Sequence, residues 1–364
     1  QRAKSVTKVD FERFARARLE RRNLTPEQID EAMPNEIAKF EEAVERVYEE
    51  HLAAALKQHE KNKKAVAKGI KSATRREVLK EVDQAPARRA TDWLSRGIWN
   101  GETGDTQGSV SQFAGERFPN QTIQDRIARA EEMEAQGFDR DMIWRQTLTY
   151  RGVDGRWRSE LDVSQARLTE VLSKAFLSGE PIKAALAAEI PEIAAAYPEL
   201  LDGIILEPSI SEEVSGAFKV LGERTAAIEI SASDHDGALS ILLHELQHAI
   251  QNIEGFAYGT SPQYVLKENS QELKDAYQAK ARTMEDLIKR GELSLTIEEE
   301  IDYLHKMLKD AAYEVYQRHA GEVEARNVQK RINFTLEERR ANPPWETDGV
   351  PAERQIVSYA HGSA

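Results

Sequence analysis

The chain contains no cysteine in 364 residues. It can therefore form no disulfide framework and offers no thiolate to a metal. That fits a reducing compartment, and equally a protein that passes through several compartments. No apolar run approaches the roughly 18 residues a membrane helix needs, so no membrane span is expected. The first residues, Gln1-Arg2-Ala3-Lys4, include neither an initiating Met nor an apolar signal core. A fragment or processed product is expected, and not a protein secreted through a signal peptide. Positive charge is in deficit, with 50 Lys and Arg against 63 Asp and Glu and a formal net charge of −13. That balance argues against general coating of nucleic acid. Histidine is scarce too, at eight residues.

Two of the eight fall four apart, in Leu243-His244-Glu245-Leu246-Gln247-His248-Ala249. On a helix, residues at this spacing project from one face, one turn apart. One Zn²⁺ could take both imidazoles, with Glu245 beside the water it activates. The alternative is two surface histidines on an ordinary helix. Leu239, Leu242, Leu243, Leu246, Ala249 and Ile250 form an apolar stripe, and the histidines lie at its margin. Partial burial suits a neutral imidazole ligand.

Helical spacing dominates the N-terminal region, with Phe11, Phe14, Ala15 and Leu19, then Phe40, Val44, Val47 and Tyr48. Thr25-Pro26-Glu27 predicts a helix start. Lys61–Arg76 carries seven basic residues and no acid. It is read as a solvated helix face, with weak contact to a nucleic-acid backbone as the alternative. Glycine and polar residues over 95–120 predict a linker or long loop, which sets a domain boundary at 115/116. Helices are expected over 122–136 and 139–147, a strand over 156–161, helices over 168–177 and 182–196, and strands over 203–206, 217–221 and 225–231. The His244 helix then spans 237–253 up to Gly255, and long charged helices fill 265–331. Asp234-His235-Asp236 is read as an N-cap cluster before that helix, not as a cation site.

Catalytic zinc takes three protein ligands plus water. Residues 249–256 contain no histidine, which excludes a third His just downstream. Glu254 lies close to the expected helix end. The preferred third ligand is in Gly321-Glu322-Val323-Glu324-Ala325-Arg326, where small Gly321 and Ala325 flank Glu322 and would let two helices approach. Glu322 and Glu324 point about 200° apart on a helix, so only one can serve. Glu322 is preferred, Glu324 remains the alternative, and surface acids paired with Arg318 or Arg326 are the reading without a site. Tyr258, Tyr313, Tyr316, His319 and Arg326 are candidate oxyanion donors.

The run His244–Gln251 followed by Glu254-Gly255-Phe256-Ala257 and Gly259 resembles the metallopeptidase-like domain of large polyvalent proteins of bacteriophages and conjugative elements. Ile143-Trp144 with Asp154–Glu160, Tyr197-Pro198-Glu199-Leu200 and Gly321–Val328 support the resemblance, which spans 120–358. Thr147-Leu148 departs from the Thr-Gly turn expected there. The resemblance implies a zincin-like α+β fold: mostly helical, with a small, mainly antiparallel sheet packed on the His-Glu-x-x-His helix. Residues 1–115 would form a charged helical arm and linker, and 116–364 the peptidase-like domain. It further implies Zn²⁺ held by His244, His248 and Glu322, with Glu245 as general base acting on a protein or peptide substrate. The location implied is the virion or the host cytoplasm after delivery, with other virion proteins as partners of the N-terminal helices. A catalytically silent, structural or ejected virion protein is the competing function.

Overall fold

The computed structural model describes residues 2–44, 46, 111–117, 121–163, 165–197, 199–210, 215–221, 226–232 and 234–359. Val47, Tyr48 and the basic stretch Lys61–Arg76 lie outside these residues. The described residues are α+β and mostly helical. The chain divides into two compact units, Gln1–Ala73 with Ser261–Gln317, and Thr74–Thr260 with Arg318–Ala364. This division differs from the boundary expected at 115/116: residues 261–317 group with the N-terminal helices. Helical periodicity identifies an amphipathic element but not its partner, and that is why the pairing could not be read in advance. Among the described residues no helix is long and apolar enough to cross a membrane.

The first unit is helical. Arg2–Arg21 and a helix over 26–44 pack with Gln271–Arg290 and Ile297–Arg318. Thr25 starts the second helix as expected, since its backbone N–H donates to Gln28 Oε1 and its hydroxyl accepts from the Gln28 N–H. Phe11, Ala15, Leu19, Ile29, Met33, Phe40 and Ile301 are buried together. Phe11 stacks on Phe40 with ring centroids 4.1 Å apart. Arg18 pairs with Glu300, whose side chain is 1% exposed.

The second unit carries His244. Strand β1 (Ser111–Ala114) pairs antiparallel with β3 (Trp157–Asp162), and β2 (Thr149–Arg151) pairs with the same strand. The expected loop over 95–120 is thus partly a strand. Its residues alternate little in polarity, because Gln112 and Phe113 are both buried. A two-stranded pair joins β4 (Arg167–Leu168) to β6 (Ala188–Glu189). The remaining sheet has the order β5-β7-β9-β8, from Ile182–Lys183, Ile204–Ile210, Ala226–Ala232 and Ser215–Val220. Its central β7–β9 pair is parallel over seven residue pairs, while the outer pairings are antiparallel. The expected helix over 182–196 is broken into β5, Ala184–Ala187, β6 and Pro191–Ala196. Backbone groups there pair with β7 and β4, and Pro191 begins a new helix because it has no N–H to continue the last.

The helix His235–Glu254 lies against β8 and β9 on one side and against Ala320–Lys330 on another. Asp234 caps its start by accepting from the Gly237 N–H at 2.7 Å, as the N-cap reading expects. Gly255 ends it. Leu242, Leu243, Leu246 and Ile250 are 0% exposed, and each buried side chain contributes roughly 1.5–3 kcal/mol. Leu148, where the resemblance expects glycine, sits at φ 53° and ψ 35°. That left-handed backbone costs a non-glycine residue about 1–2 kcal/mol. Leu148 is buried, and burying a leucine returns a comparable amount.

Candidate metal centre

His244 and His248 project from one face of the His235–Glu254 helix and meet Glu322 on the facing helix. One ligand atom from each of the three lies within 4.8 Å of the others. His248 Nε2 is 3.4 Å from Glu322 Oε1, and His244 Nε2 is 3.8 Å from Glu322 Oε2. Donors about 2.1 Å from a tetrahedral ion stand about 3.4 Å from one another, so the His248–Glu322 separation matches a zinc-sized cation and the His244–Glu322 separation is slightly longer. The histidine side chains are 12% and 13% exposed and that of Glu322 is 3%.

The close approach of the 257–260 loop to the cluster depends on two glycines. A Cβ on Gly259 would collide with Glu322 Oε1 and His248, and one on Gly321 would strike the backbone of Tyr258 and Gly259. The loop over 257–260 can therefore lie directly on the cluster. There the Thr260 N–H donates to Glu322 Oε1 at 3.0 Å. Gly321, expected to admit the histidine helix, instead makes room for this loop beside Glu322.

Glu324 takes a different position. Its Oε2 accepts from Arg158 Nε at 2.5 Å, and its Oε1 accepts from Gln247 Nε2 at 2.8 Å and Gln251 Nε2 at 3.0 Å. Arg158 also pairs with Asp154 at 2.6 Å, with both side chains buried. The Glu324 carboxylate is thus fully engaged one layer behind the histidines. We expect Glu324→Ala to lower unfolding free energy by about 3 kcal/mol, because it leaves Arg158 with one of two carboxylates and removes an acceptor shared by two amides. Glu322→Ala should change stability less and reduce zinc affinity instead. Urea unfolding and zinc titration of both variants check the pair; equal stability losses would contradict the division of roles.

Glu254 also lies apart from the cluster. It accepts from the Tyr197 hydroxyl at 2.5 Å and from the Arg117 N–H at 2.9 Å. Tyr313 and Tyr316 belong to the helical unit, in contact with each other. Tyr258 and His319 are on the segments that bound the cluster, tied to the chain end: the Tyr258 N–H donates to Ser358 O, and His319 Nδ1 lies 2.9 Å from Ser358 Oγ. Arg326 is one turn beyond Glu322 on the same helix.

Glu245 is 5% exposed. Burial pushes its carboxyl up to about 7. His248 pulls it down, the Glu322 carboxylate raises it, and the backbone N–H of Phe218 on β8 lowers it by hydrogen bonding. A carboxyl near 7 is matched to proton transfer at neutral pH. β8 covers Glu245 closely: a Cβ on Gly216 would stand 2.6 Å from Glu245 Oε1.

Sequence reasoning missed a set of glutamines. Gln251 Oε1 lies 2.9 Å from His248 Nδ1, and Gln329 Oε1 lies 3.1 Å from His244 Nδ1. Gln247 bonds both backbone groups of Phe113 at 3.0 Å, and Gln112 Nε2 donates to Leu243 O at 2.9 Å. A signal was present. Gln251 is three residues past His248, and Gln329 is seven past Glu322, the spacings that share a helix face.

These contacts fasten β1 to the back of the histidine helix. Comparison with curated proteins gives no match, and comparison with solved structures gives none. The segment that supplies the strands and the Asp154–Arg158 pair is recognised: residues 111–169 match the family model described as Large polyvalent protein associated domain 23.

Proposed function

We propose that this chain is a zinc-dependent peptidase, an endopeptidase domain of a polyvalent protein carried by a phage or another mobile element. The observation that carries the reading is the convergence of His244, His248 and Glu322 within 4.8 Å, with Glu245 one residue from a ligand. The two Nε2 atoms and the Glu322 carboxylate fit zinc in donor type and spacing. Zinc bound there would activate water and polarise a scissile carbonyl. Glu245 is the group placed to take a proton from the attacking water and pass it to the leaving amine. β8 is the edge strand of its sheet, beside the histidine helix, so an extended substrate peptide could pair with it. The match over residues 111–169 supports the link to polyvalent proteins. The virion or the recipient cell is the location that goes with this reading.

The test is cleavage of co-packaged virion proteins, or of the chain itself, by purified protein. Hydrolysis that stops with a chelator and returns with zinc supports the reading; hydrolysis indifferent to both refutes it. The second reading is a catalytically silent virion component using the same fold as a scaffold. The closeness of β8 to Glu245 favours it, since a base under a strand must be uncovered before it reaches water. Zinc binding without hydrolysis would select this reading.

A further inference from the structure

The two histidines differ from surface imidazoles in what their far nitrogens touch. Each Nδ1 faces the side-chain amide of a glutamine, Gln251 for His248 and Gln329 for His244. Which way those amides point decides which ring nitrogen holds the proton, because an amide oxygen accepts only and an amide nitrogen donates only. The surroundings of each amide fix its orientation. Gln251 Nε2 has two neighbours, the Gly321 carbonyl at 2.9 Å and Glu324 Oε1 at 3.0 Å. Both are acceptors, so turning the amide over would set oxygen against two oxygens. Gln329 Nε2 faces the Ser240 carbonyl at 3.4 Å and the Ser240 hydroxyl at 3.2 Å. The carbonyl disfavours the reversed amide there as well, though the hydroxyl could donate, so Gln251 is the more firmly set.

With the amides so held, each Oε1 can only accept, and each Nδ1 must carry the proton. The rival arrangement puts the proton on Nε2, donated to Glu322. His248 Nε2 is 3.4 Å from Glu322 Oε1, whereas its Nδ1 is 2.9 Å from Gln251 Oε1. The 2.9 Å contact has the length of an N–H···O bond, whereas 3.4 Å lies outside the usual range of about 2.7–3.2 Å. We infer that Gln251 and Gln329 are positioning residues that lock His248 and His244 in the Nδ1–H tautomer, so that both Nε2 lone pairs face Glu322 before any metal arrives. For His248 the lock is anchored through Glu324 to Arg158, and so to the segment that matches the polyvalent-protein domain. Behind a metal site, partners of this kind fix ring orientation and raise ligand basicity. The purpose of the lock rests on the metal reading; its existence does not.

The experiment reads the tautomer directly. Imidazole ¹⁵N–¹H spectra are recorded on the full chain after chelation, at a pH about two units above the ordinary imidazole pKa of about 6.5. His244→Gln and His248→Gln assign the two rings. In the unsubstituted chain, both should carry the proton on Nδ1, although histidine free in water prefers Nε2–H. Gln251→Met should shift His248 towards Nε2–H and leave His244 unchanged, and Gln329→Met should do the reverse. In zinc titrations, Gln251→Met should lose roughly 10- to 100-fold in affinity. An Nε2–H signal at either ring of the unsubstituted chain overturns the inference, as does an unchanged His248 in folded Gln251→Met. If Gln251→Met fails to fold, the tautomers of the unsubstituted chain decide alone. If no chain binds zinc, the metal reading fails while the tautomers still report on the lock.

Discussion

Glu245→Gln is expected to slow peptide hydrolysis by roughly 10²–10⁴-fold while leaving fold and zinc content unchanged. The reasoning is local. Glu245 is adjacent to His244 without belonging to the His244, His248 and Glu322 cluster. Its replacement therefore removes a base and no ligand. Glutamine has nearly the same volume, and its amide oxygen can still accept from the Phe218 N–H. It is also neutral, and burial is what pushes the Glu245 carboxyl towards its protonated form. A neutral amide at that position costs the fold nothing comparable. The measurement compares initial cleavage rates of the two proteins on one substrate, beside their zinc content and unfolding curves. Equal rates would mean that any hydrolysis has another source, and the scaffold reading would take the place of the peptidase.

The second large effect concerns the ligands. Zinc bound only by the folded state stabilises it by RT ln(1 + [Zn]/Kd), about 2.7 kcal/mol at a hundred times Kd. For a unit of this size that raises the unfolding temperature by about 5–10 °C. His244→Ala combined with His248→Ala should abolish the rise, because Glu322 alone leaves a single carboxylate. The side chains are 12% and 13% exposed, so the truncations open little sealed volume, and the doubly substituted chain should fold. Thermal unfolding with and without zinc checks this. A zinc-dependent rise of equal size in both proteins would place the metal elsewhere.

Much of the site was legible because helical geometry is strict. A four-residue spacing places His244 and His248 on one face, and the 200° between Glu322 and Glu324 allows only one to join them. Small residues beside Glu322 indicated which. The reason Glu324 is held elsewhere was not legible, since Arg158 is distant in sequence and only the fold makes it a neighbour. The same limit hid β1, whose partner β3 lies more than forty residues on. It also hid the break in 182–196, where pairing with β7 and β4 overrides an alanine-rich helical pattern. A parallel β7–β9 pair within a sheet expected to be mainly antiparallel has a similar origin, because each strand's own pattern is silent about its neighbour's direction. The glutamines went unread because an amide within a helix has no chemistry until its partners are known.

The most direct measurement is zinc K-edge absorption on the purified chain after zinc loading and gel filtration. The expected result is about one zinc per chain, coordinated by nitrogen and oxygen at about 2.0–2.2 Å, with the outer-shell scattering of two imidazoles. Zinc lost on filtration, or a zinc shell without imidazole scattering, would contradict a centre built from His244, His248 and Glu322.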